Sequence, residues 1–246
     1  MRRDGSLGRN VGAQLVLRSL AFSGVLPKMA ERMGGMMMHA NQLPVGSDFP
    51  IFTAHVTKKV SDSPKLPSKL SKILTHSVSD TANPNNPLPI AISESPMAML
   101  LNGKAYAFND PLPTERIKLN SIQLMEIFHD HGASGHGGGM GMGMGMGGMK
   151  HGGGMGMMMS MAHPIHLHGQ QFQIVSRSIN ANHVEDYATV RDGFIESGLK
   201  DTVLVMPGET VRIIKPFQDF TGLFMYHCHN LEHEDMGMMR EFLIYA

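Results

Sequence analysis

The chain is short of several residue types, and each shortage excludes a class of protein. Its 246 residues include no tryptophan, only 6% aromatic residues and a single cysteine. One cysteine cannot form a disulfide within the chain, so the sequence is not a disulfide-stapled scaffold. Because aromatic residues are scarce, valine, isoleucine, leucine and methionine must fill the core of any folded domain.

Charge of one sign and long apolar runs are also missing. Only 17% of the residues are charged, and 21 basic residues balance 21 acidic ones. A neutral chain has no electrostatic attraction to nucleic acid or to a strongly anionic surface. No stretch approaches the roughly 20 apolar residues of a membrane-spanning helix, and Arg18 interrupts the first apolar run. We therefore predict no nucleic-acid partner, no membrane span and no signal peptide in this chain.

The segment HCHNLEHEDMGM, from His227 to Met238, carries the strongest chemical signal in the chain. Cys228 lies between two histidines, and His233 and Met238 follow it by five and ten residues. Blue-copper centres bind one thiolate, two imidazoles and a weak axial thioether. Zinc also accepts cysteine and histidine and remains the alternative metal. The methionine favours copper, because a thioether is a soft ligand that zinc binds poorly.

A second histidine cluster, HPIHLHG, begins at His163 and precedes an alternating segment typical of a half-buried strand. In an extended chain His166 and His168 point to the same face, because side chains alternate with a period of two. These two side chains are therefore expected to serve one metal cluster. His163 is set apart by Pro164, which restricts the backbone around it, and is available to another cluster.

The same alternation applies around Cys228. His227 and His229 share one face of the strand, and Cys228 faces the other way. One strand is thus expected to contact two metal sites. The thiolate at one site would be joined by a few covalent bonds to the imidazoles at the other, which gives electrons a short path.

The two motifs HPIHLHG and HCHNLEHEDMGMM together resemble the copper signatures in the C-terminal domain of multicopper oxidases, the family of laccases, bacterial cuprous oxidases and spore-coat oxidases. The resemblance covers roughly residues 95–246 and includes LNGKAYAF at 101–108 and KDTVLVMPGETVRI at 200–213. It implies that Glu234 is a carboxylate that relays protons. It also implies copper ligands of three types: His163, Cys228, His233 and Met238 for type 1, His166 for type 2, and His168, His227 and His229 for type 3.

The resemblance further implies a copper-dependent oxidoreductase. A reductant, either Cu(I) or a phenolic compound, would give single electrons to the type 1 copper through exposed edges of His163 or His233, and O2 would be reduced to water at a trinuclear cluster. That cluster takes further histidines from HxH motifs in another domain, so we expect this chain to be a C-terminal fragment that acts with missing N-terminal cupredoxin domains. The family implies an extracellular or periplasmic location. The alternative is a stand-alone copper-binding module for electron transfer or copper handling, without O2 reduction.

A Met/Gly-rich insertion is predicted at residues 132–161, where many of the 24 methionines and 28 glycines are concentrated. Glycine has maximal backbone freedom and no side chain to bury, so we expect this segment to be disordered. It is either a flexible linker or a copper-gathering loop, because thioethers favour Cu(I). In the second case the nearby histidines would extend its affinity to Cu(II): His129, His131, His136 and His151. By resemblance, Met161 would bind substrate copper, with Met159 in place of the usual acidic residue.

The fold class predicted is all-β, with a cupredoxin-like Greek-key β-sandwich at residues 96–246. Residues 1–66 are expected to be the incomplete tail of a preceding cupredoxin domain, with strands near 15–24 and 50–60. Residues 67–95 are rich in Pro, Ser and Asn, which is typical of a linker. Short alternating runs separated by Gly or Pro predict the strands of the sandwich: 97–108, 116–127, 170–178, 201–206, 209–216, 222–229 and 240–245.

Overall fold

The structure of the chain is a computed structural model that describes residues 10–26, 46–60, 67–69, 71–95, 98–129 and 160–246. Residues 132–159 of the predicted Met/Gly insertion lie outside the described residues. Two short helices, α1 (Val184–Ala188) and α2 (Leu231–Asp235), occur in these ranges. The strands in the same ranges are β1 (Gln14–Arg18), β2 (Pro50–His55), β3 (Leu88–Ser95), β4 (Ala98–Leu101), β5 (Arg116–Lys118), β6 (Ser121–His129), β7 (His163–Leu167), β8 (Gln173–Ile179), β9 (Thr202–Val205), β10 (Glu209–Phe217), β11 (Gly222–Cys228) and β12 (Met239–Tyr245).

Ten of the strands in the described ranges form two five-stranded sheets. Sheet I has the strand order β4-β3-β6-β10-β8, and sheet II has the order β5-β12-β11-β7-β9. Most neighbours are antiparallel, whereas β3 pairs with β6 and β5 with β12 in parallel. Alternating apolar residues of the two sheets enclose one core, which confirms the predicted all-β fold.

Aliphatic side chains fill most of that core, as the shortage of aromatic residues predicts. Ile90 and Ile92 of β3 and Ile127 of β6 are fully buried in sheet I. Ile165 and Leu167 of β7 are fully buried in sheet II and belong to the same cluster. Since alternate residues of β7 face the core, the intervening His166 must face outward.

One strand of sheet I lies in residues whose composition predicts a linker. Leu88–Ser95 form β3, which pairs with β4 on one side and β6 on the other. The alternating apolar residues of LPIAISES explain the strand, but the preceding Pro and Asn residues obscure that pattern. Pro89 is tolerated because β4 pairs only with residues 92–95, so Pro89 lacks a partner strand on that side. The predicted strand at 97–108 is also shorter, ending at Leu101 before a turn in which Asn102 has a φ of 52°.

The two strands predicted before residue 66 are present as a separate two-stranded sheet, in which β1 and β2 pair antiparallel. Several apolar side chains of this two-stranded sheet are exposed, among them Ile51 at 55% and Phe52 at 56%. The chain that follows β1 reaches the sandwich, where Gly24 accepts a hydrogen bond from the backbone N–H of Ala162 at 2.9 Å. No helix in the described ranges is both long and apolar enough to cross a membrane.

A buried lysine in β10 gives a prediction about stability. Lys215 is fully buried, and its Nζ donates to the backbone oxygen of Gln170. Burial lowers its pKa from 10.5 to about 8. We expect Lys215→Met to raise the free energy of unfolding at pH 7 by up to about 3 kcal/mol, because each pKa unit corresponds to about 1.4 kcal/mol.

The lowered pKa of Lys215 also predicts how the stability of the folded chain depends on pH. Between pH 8 and pH 10.5 the unfolded chain holds the lysine proton that the folded chain has lost, so native stability should rise with pH in this window. Lys215→Met should lack that rise. Chemical denaturation of the metal-free chain at pH 7 and near pH 9.5 measures both effects, with the exposed Lys118→Met as control. Equal pH slopes in the native chain and Lys215→Met would contradict the assignment.

Candidate metal centre

Three potential ligand atoms from separate elements meet between the two sheets. Cys228 Sγ lies 3.5 Å from His163 Nδ1 and 3.4 Å from His233 Nδ1, and the two nitrogens are 3.2 Å apart. Cys228 and His163 are completely buried, and His233 is 7% exposed. The three atoms form a nearly equilateral triangle, which we call the inner triangle.

Strand pairing explains how the inner triangle assembles. His163 begins β7 and Cys228 ends β11, and these strands pair antiparallel with Cys228 opposite Ile165. His233 lies in α2, within the loop from β11 to β12. Each residue is therefore positioned by a regular element next to the core.

The loop after α2 returns Met238 to the inner triangle. Gly237 has a φ of 85°, a left-handed conformation that ends helices readily and reverses the chain. The backbone N–H of Met238 then donates to the oxygen of His233 at 2.9 Å, and the N–H of Cys228 donates to the oxygen of Met238 at 3.1 Å. The Met238 side chain is fully buried. The spacings of five and ten residues thus bring His233 and Met238 next to Cys228.

The inner triangle has the size and chemistry of a metal site. Its centre is about 2 Å from each atom, close to the length of protein metal–nitrogen and metal–sulfur bonds. Burial lowers the pKa of His163 to about 4 despite the nearby Glu94, so its imidazole is neutral, as a ligand must be. Burial also raises the pKa of the Cys228 thiol to about 12 in the absence of a cation. One sulfur, two imidazoles and an adjacent methionine suit copper better than zinc.

A second group of imidazoles lies on the opposite, outward face of the same two strands. His166, His168 and His227 have ligand atoms within 4.8 Å of one another, and Nε2 of His168 is 3.2 Å from Nε2 of His227. The ring of His229 lies 5.5 Å from that of His166 and 5.2 Å from that of His227, measured between centroids. We call these four residues the outward histidines. The predicted alternation of both motifs is therefore present in the structure.

Backbone acceptors fix the tautomers of two outward histidines. Nδ1 of His227 lies 3.0 Å from the oxygen of Cys228, and Nδ1 of His166 lies 2.9 Å from the oxygen of Asp201. A carbonyl oxygen only accepts, so both Nδ1 atoms carry the proton and both Nε2 atoms keep a free lone pair. This is the arrangement in which a histidine binds a metal and is oriented by a neighbour.

Comparison with known proteins identifies the domain that carries these groups. Residues 154–246 match the family model described as multicopper oxidase. The laccase of Haloferax volcanii is 45% identical and the bilirubin oxidase of Albifimbria verrucaria 44% identical, each over 82 residues. Residues 154–246 of the chain therefore resemble the multicopper oxidase family. The two alignments cover 33% and 32% of this chain but 13% of each relative, so the aligned part spans a small share of those enzymes.

A solved multicopper oxidase confirms the fold class. The crystal structure of a variant of the McoA multicopper oxidase from Aquifex aeolicus matches with a TM-score of 0.63 at 21% identity, and the match covers 96% of this chain and 42% of that chain. This likeness shows the fold, which is therefore the predicted cupredoxin-like β-sandwich. Copper is the cofactor of the family, and the inner triangle fits it.

Glu234, the predicted proton-relaying carboxylate, lies beside an outward histidine. Its Oε2 is 3.5 Å from Nδ1 of His227, and its side chain is 33% exposed. The carboxylate therefore touches both the histidine and solvent. Its role in proton transfer stays a prediction.

The structure brings two further residues to the inner triangle whose position the sequence does not reveal. Glu94 of β3 is a buried carboxylate whose Oε1 lies 3.0 Å from His163 Nε2. His129, expected beside the Met/Gly insertion, is buried at the end of β6, 3.4 Å from Glu94. An HxH pair of His129 with His131 would be a possible source of cluster ligands. His129 instead lies near His163, away from the outward histidines, and His131 is outside the described residues.

Of the two histidines expected to have an exposed edge, only one has it. His163 is completely buried, with Nδ1 toward the inner triangle and Nε2 toward Glu94. His233 keeps a 7% exposed edge, flanked by the exposed side chains of Leu231 at 70% and Met236 at 45%. Of the two histidines in the inner triangle, only His233 therefore has an edge that solvent reaches.

Proposed function

We propose that this chain forms the type 1 copper centre and part of the oxygen-reducing centre of a multicopper oxidase. The observation that carries the proposal is the inner triangle of Cys228, His163 and His233, joined through one strand to the outward histidines. Copper, when bound, supplies one-electron redox chemistry. The overall activity is copper-dependent oxidation of Cu(I) or a phenolic reductant coupled to reduction of O2 to water.

The residues of the chain have distinct tasks in this proposal. Cys228, His163, His233 and Met238 would hold the type 1 copper in a buried site that excludes water. The backbone joins Cys228 to its neighbours His227 and His229, and these few covalent bonds would give electrons a short path between the two centres. Glu234, next to solvent and His227, delivers protons.

The outward histidines serve the oxygen side. We assign His166 to the type 2 copper and His168, His227 and His229 to the type 3 pair. In the part of the chain that the structure describes, the four outward histidines all lie on β7 or β11 or directly after one of these strands. The remaining cluster ligands are supplied by other cupredoxin domains. The same proposal includes residues 1–66 as part of a preceding domain and an extracellular or periplasmic location.

A second function is favoured by the completeness of the inner triangle. All proposed type 1 ligands come from this chain, whereas the outward face supplies only four histidines in the described ranges. The chain by itself would then be an electron-transfer or copper-handling module without O2 reduction. The first function requires further cupredoxin domains before O2 is reduced, whereas the second function involves no O2 reduction.

Copper loading of the purified 246-residue chain tests both functions. We expect blue absorption on adding Cu(II), because a thiolate bound to copper gives an intense charge-transfer band. An oxygen electrode should record no O2 consumption with Cu(I) or a phenol until further cupredoxin domains are added. A colourless copper complex would contradict the type 1 assignment. Four-electron turnover by the chain alone would contradict the need for other domains.

A further inference from the structure

Glu94 is a buried carboxylate at the end of the core where the inner triangle lies. Its side chain is 1% exposed. Its Oε1 lies 3.0 Å from Nε2 of His163, 3.2 Å from the backbone nitrogen of Met161 and 3.4 Å from Nε2 of His129. Two imidazoles and one backbone N–H therefore surround a carboxylate that water does not reach.

Strand register explains why Glu94 reaches His163 across the sandwich. Ile90, Ile92 and Glu94 alternate along β3 and share its core face. Ile92 pairs with His129 in the parallel ladder between β3 and β6, so Glu94 and His129 continue that face at the end of sheet I. His163 starts β7 in the opposite sheet, and its Nε2 edge points at this end of the core.

The contact determines the tautomer of His163. An ionised carboxylate only accepts hydrogen bonds, so Nε2 of His163 must carry the proton and donate to Glu94. The lone pair on Nδ1 is then directed at Cys228 and His233. Burial opposes ionisation of Glu94, whereas the donors that face its Oε1, the backbone N–H of Met161 and the Nε2–H of His163, favour the ionised carboxylate.

We propose that Glu94 is a positioning residue for the type 1 copper, which orients His163 and favours oxidised over reduced copper through its buried negative charge. The proposal rests on the type 1 centre proposed above. Cu(II) carries one more positive charge than Cu(I), and a nearby anion in a low-dielectric interior stabilises the more positive ion. Hydrogen-bonded partners of metal-binding histidines tune a metal in this way. Glu94 thus lowers the reduction potential of the centre.

The variant that separates charge from shape is Glu94→Gln. Glutamine has the size of glutamate and keeps an oxygen that accepts from His163, but it carries no charge. The matched control is Glu126→Gln in β6. Glu126 is three residues before His129, so it faces the opposite side of the strand, where it pairs with Arg212 at 2.7 Å. Both variants remove one negative charge from sheet I.

A spectroscopic redox titration of the copper-loaded full chain measures the effect. At a fixed ambient potential, we expect the ratio of Cu(II) to Cu(I) to fall about tenfold in Glu94→Gln, which corresponds to a rise of about 59 mV for a one-electron couple. Glu126→Gln should retain the native ratio within about threefold. A residue that served only packing would alter copper affinity or stability and leave this ratio unchanged.

Each outcome has a defined meaning. A blue Glu94→Gln variant with an unchanged ratio, or an equal change in Glu126→Gln, overturns the role of Glu94. If Glu94→Gln does not hold copper, Glu94→Asp, which keeps the charge, must be blue with a ratio near the native one; a shifted ratio or no colour overturns the proposal. A native chain that never becomes blue overturns the type 1 centre itself, whatever the variants do.

Discussion

Replacing Cys228 with serine should abolish the blue absorption of the copper-loaded chain. Serine has nearly the same size, so the end of β11 and the hydrogen bond from its backbone N–H to Met238 are retained. A hydroxyl is a hard donor that stays protonated, and it cannot give the thiolate-to-copper transition that produces the colour. The loss should be complete rather than partial, since Cys228 is the only cysteine in the chain.

Copper content distinguishes loss of colour from loss of all binding. Elemental analysis of the serine variant should still find copper, because the outward histidines lie on the other face of the sheet and keep their ligand atoms. The control is His55→Asn, which changes an exposed histidine in β2 and should leave the colour intact. Persistent blue colour in Cys228→Ser would show that the thiolate ligand has been assigned wrongly.

Arg240→Met is expected to lower the free energy of unfolding by roughly 3–5 kcal/mol, because it leaves a buried carboxylate without its cation. Arg240 and Glu115 are each 1% exposed, and Nε and Nη2 of the arginine contact both carboxylate oxygens. Glu115 also accepts from the hydroxyl of Tyr226 and from Asn102. Chemical denaturation monitored by circular dichroism gives the change directly.

A double-mutant cycle with Glu115→Met tests the cause. Removing both charges leaves no unpaired ion in the core, so the double variant should be less destabilised than the two single changes predict by addition. Lys104→Met serves as the control, because its ion pair with Asp110 is about half exposed, is screened by water and should contribute little to stability. Additive losses in the cycle would mean that the pair contributes through packing alone.

The outward face of each histidine motif, and the positions of His233 and Met238 after Cys228, can be predicted from sequence because their spacing is local. His163 is 65 residues from Cys228, and only the family resemblance relates the two. Alternation along an extended chain is enough to place Cys228 on the face opposite His227 and His229. His166 and His168 follow the same rule within three residues. Both motifs are short enough that no tertiary contact can change which side chains share a face.

The positions of Glu94 and His129 cannot be predicted from sequence in that way. Glu94 is 69 residues from His163, and no local pattern relates the two. Their contact depends on the parallel register of β3 with β6 and on the packing of one sheet against the other. The strand β3 could not be predicted either, because the Pro- and Asn-rich residues before it are typical of a linker. Its pairing with β6, which is distant in sequence, stabilises the strand. A carboxylate at the end of an alternating apolar run is the available signal.

The placement of the inner triangle and the outward histidines on opposite faces of β7 and β11 has an evolutionary consequence. Inserting or deleting one residue within Tyr226–Cys228 would turn the thiol outward and an imidazole inward, because a one-residue slip exchanges the faces of a strand. Neither centre can then shift its register without destroying the other. Selection on either half of the chemistry preserves the whole motif, so the two centres are inherited as one indivisible unit.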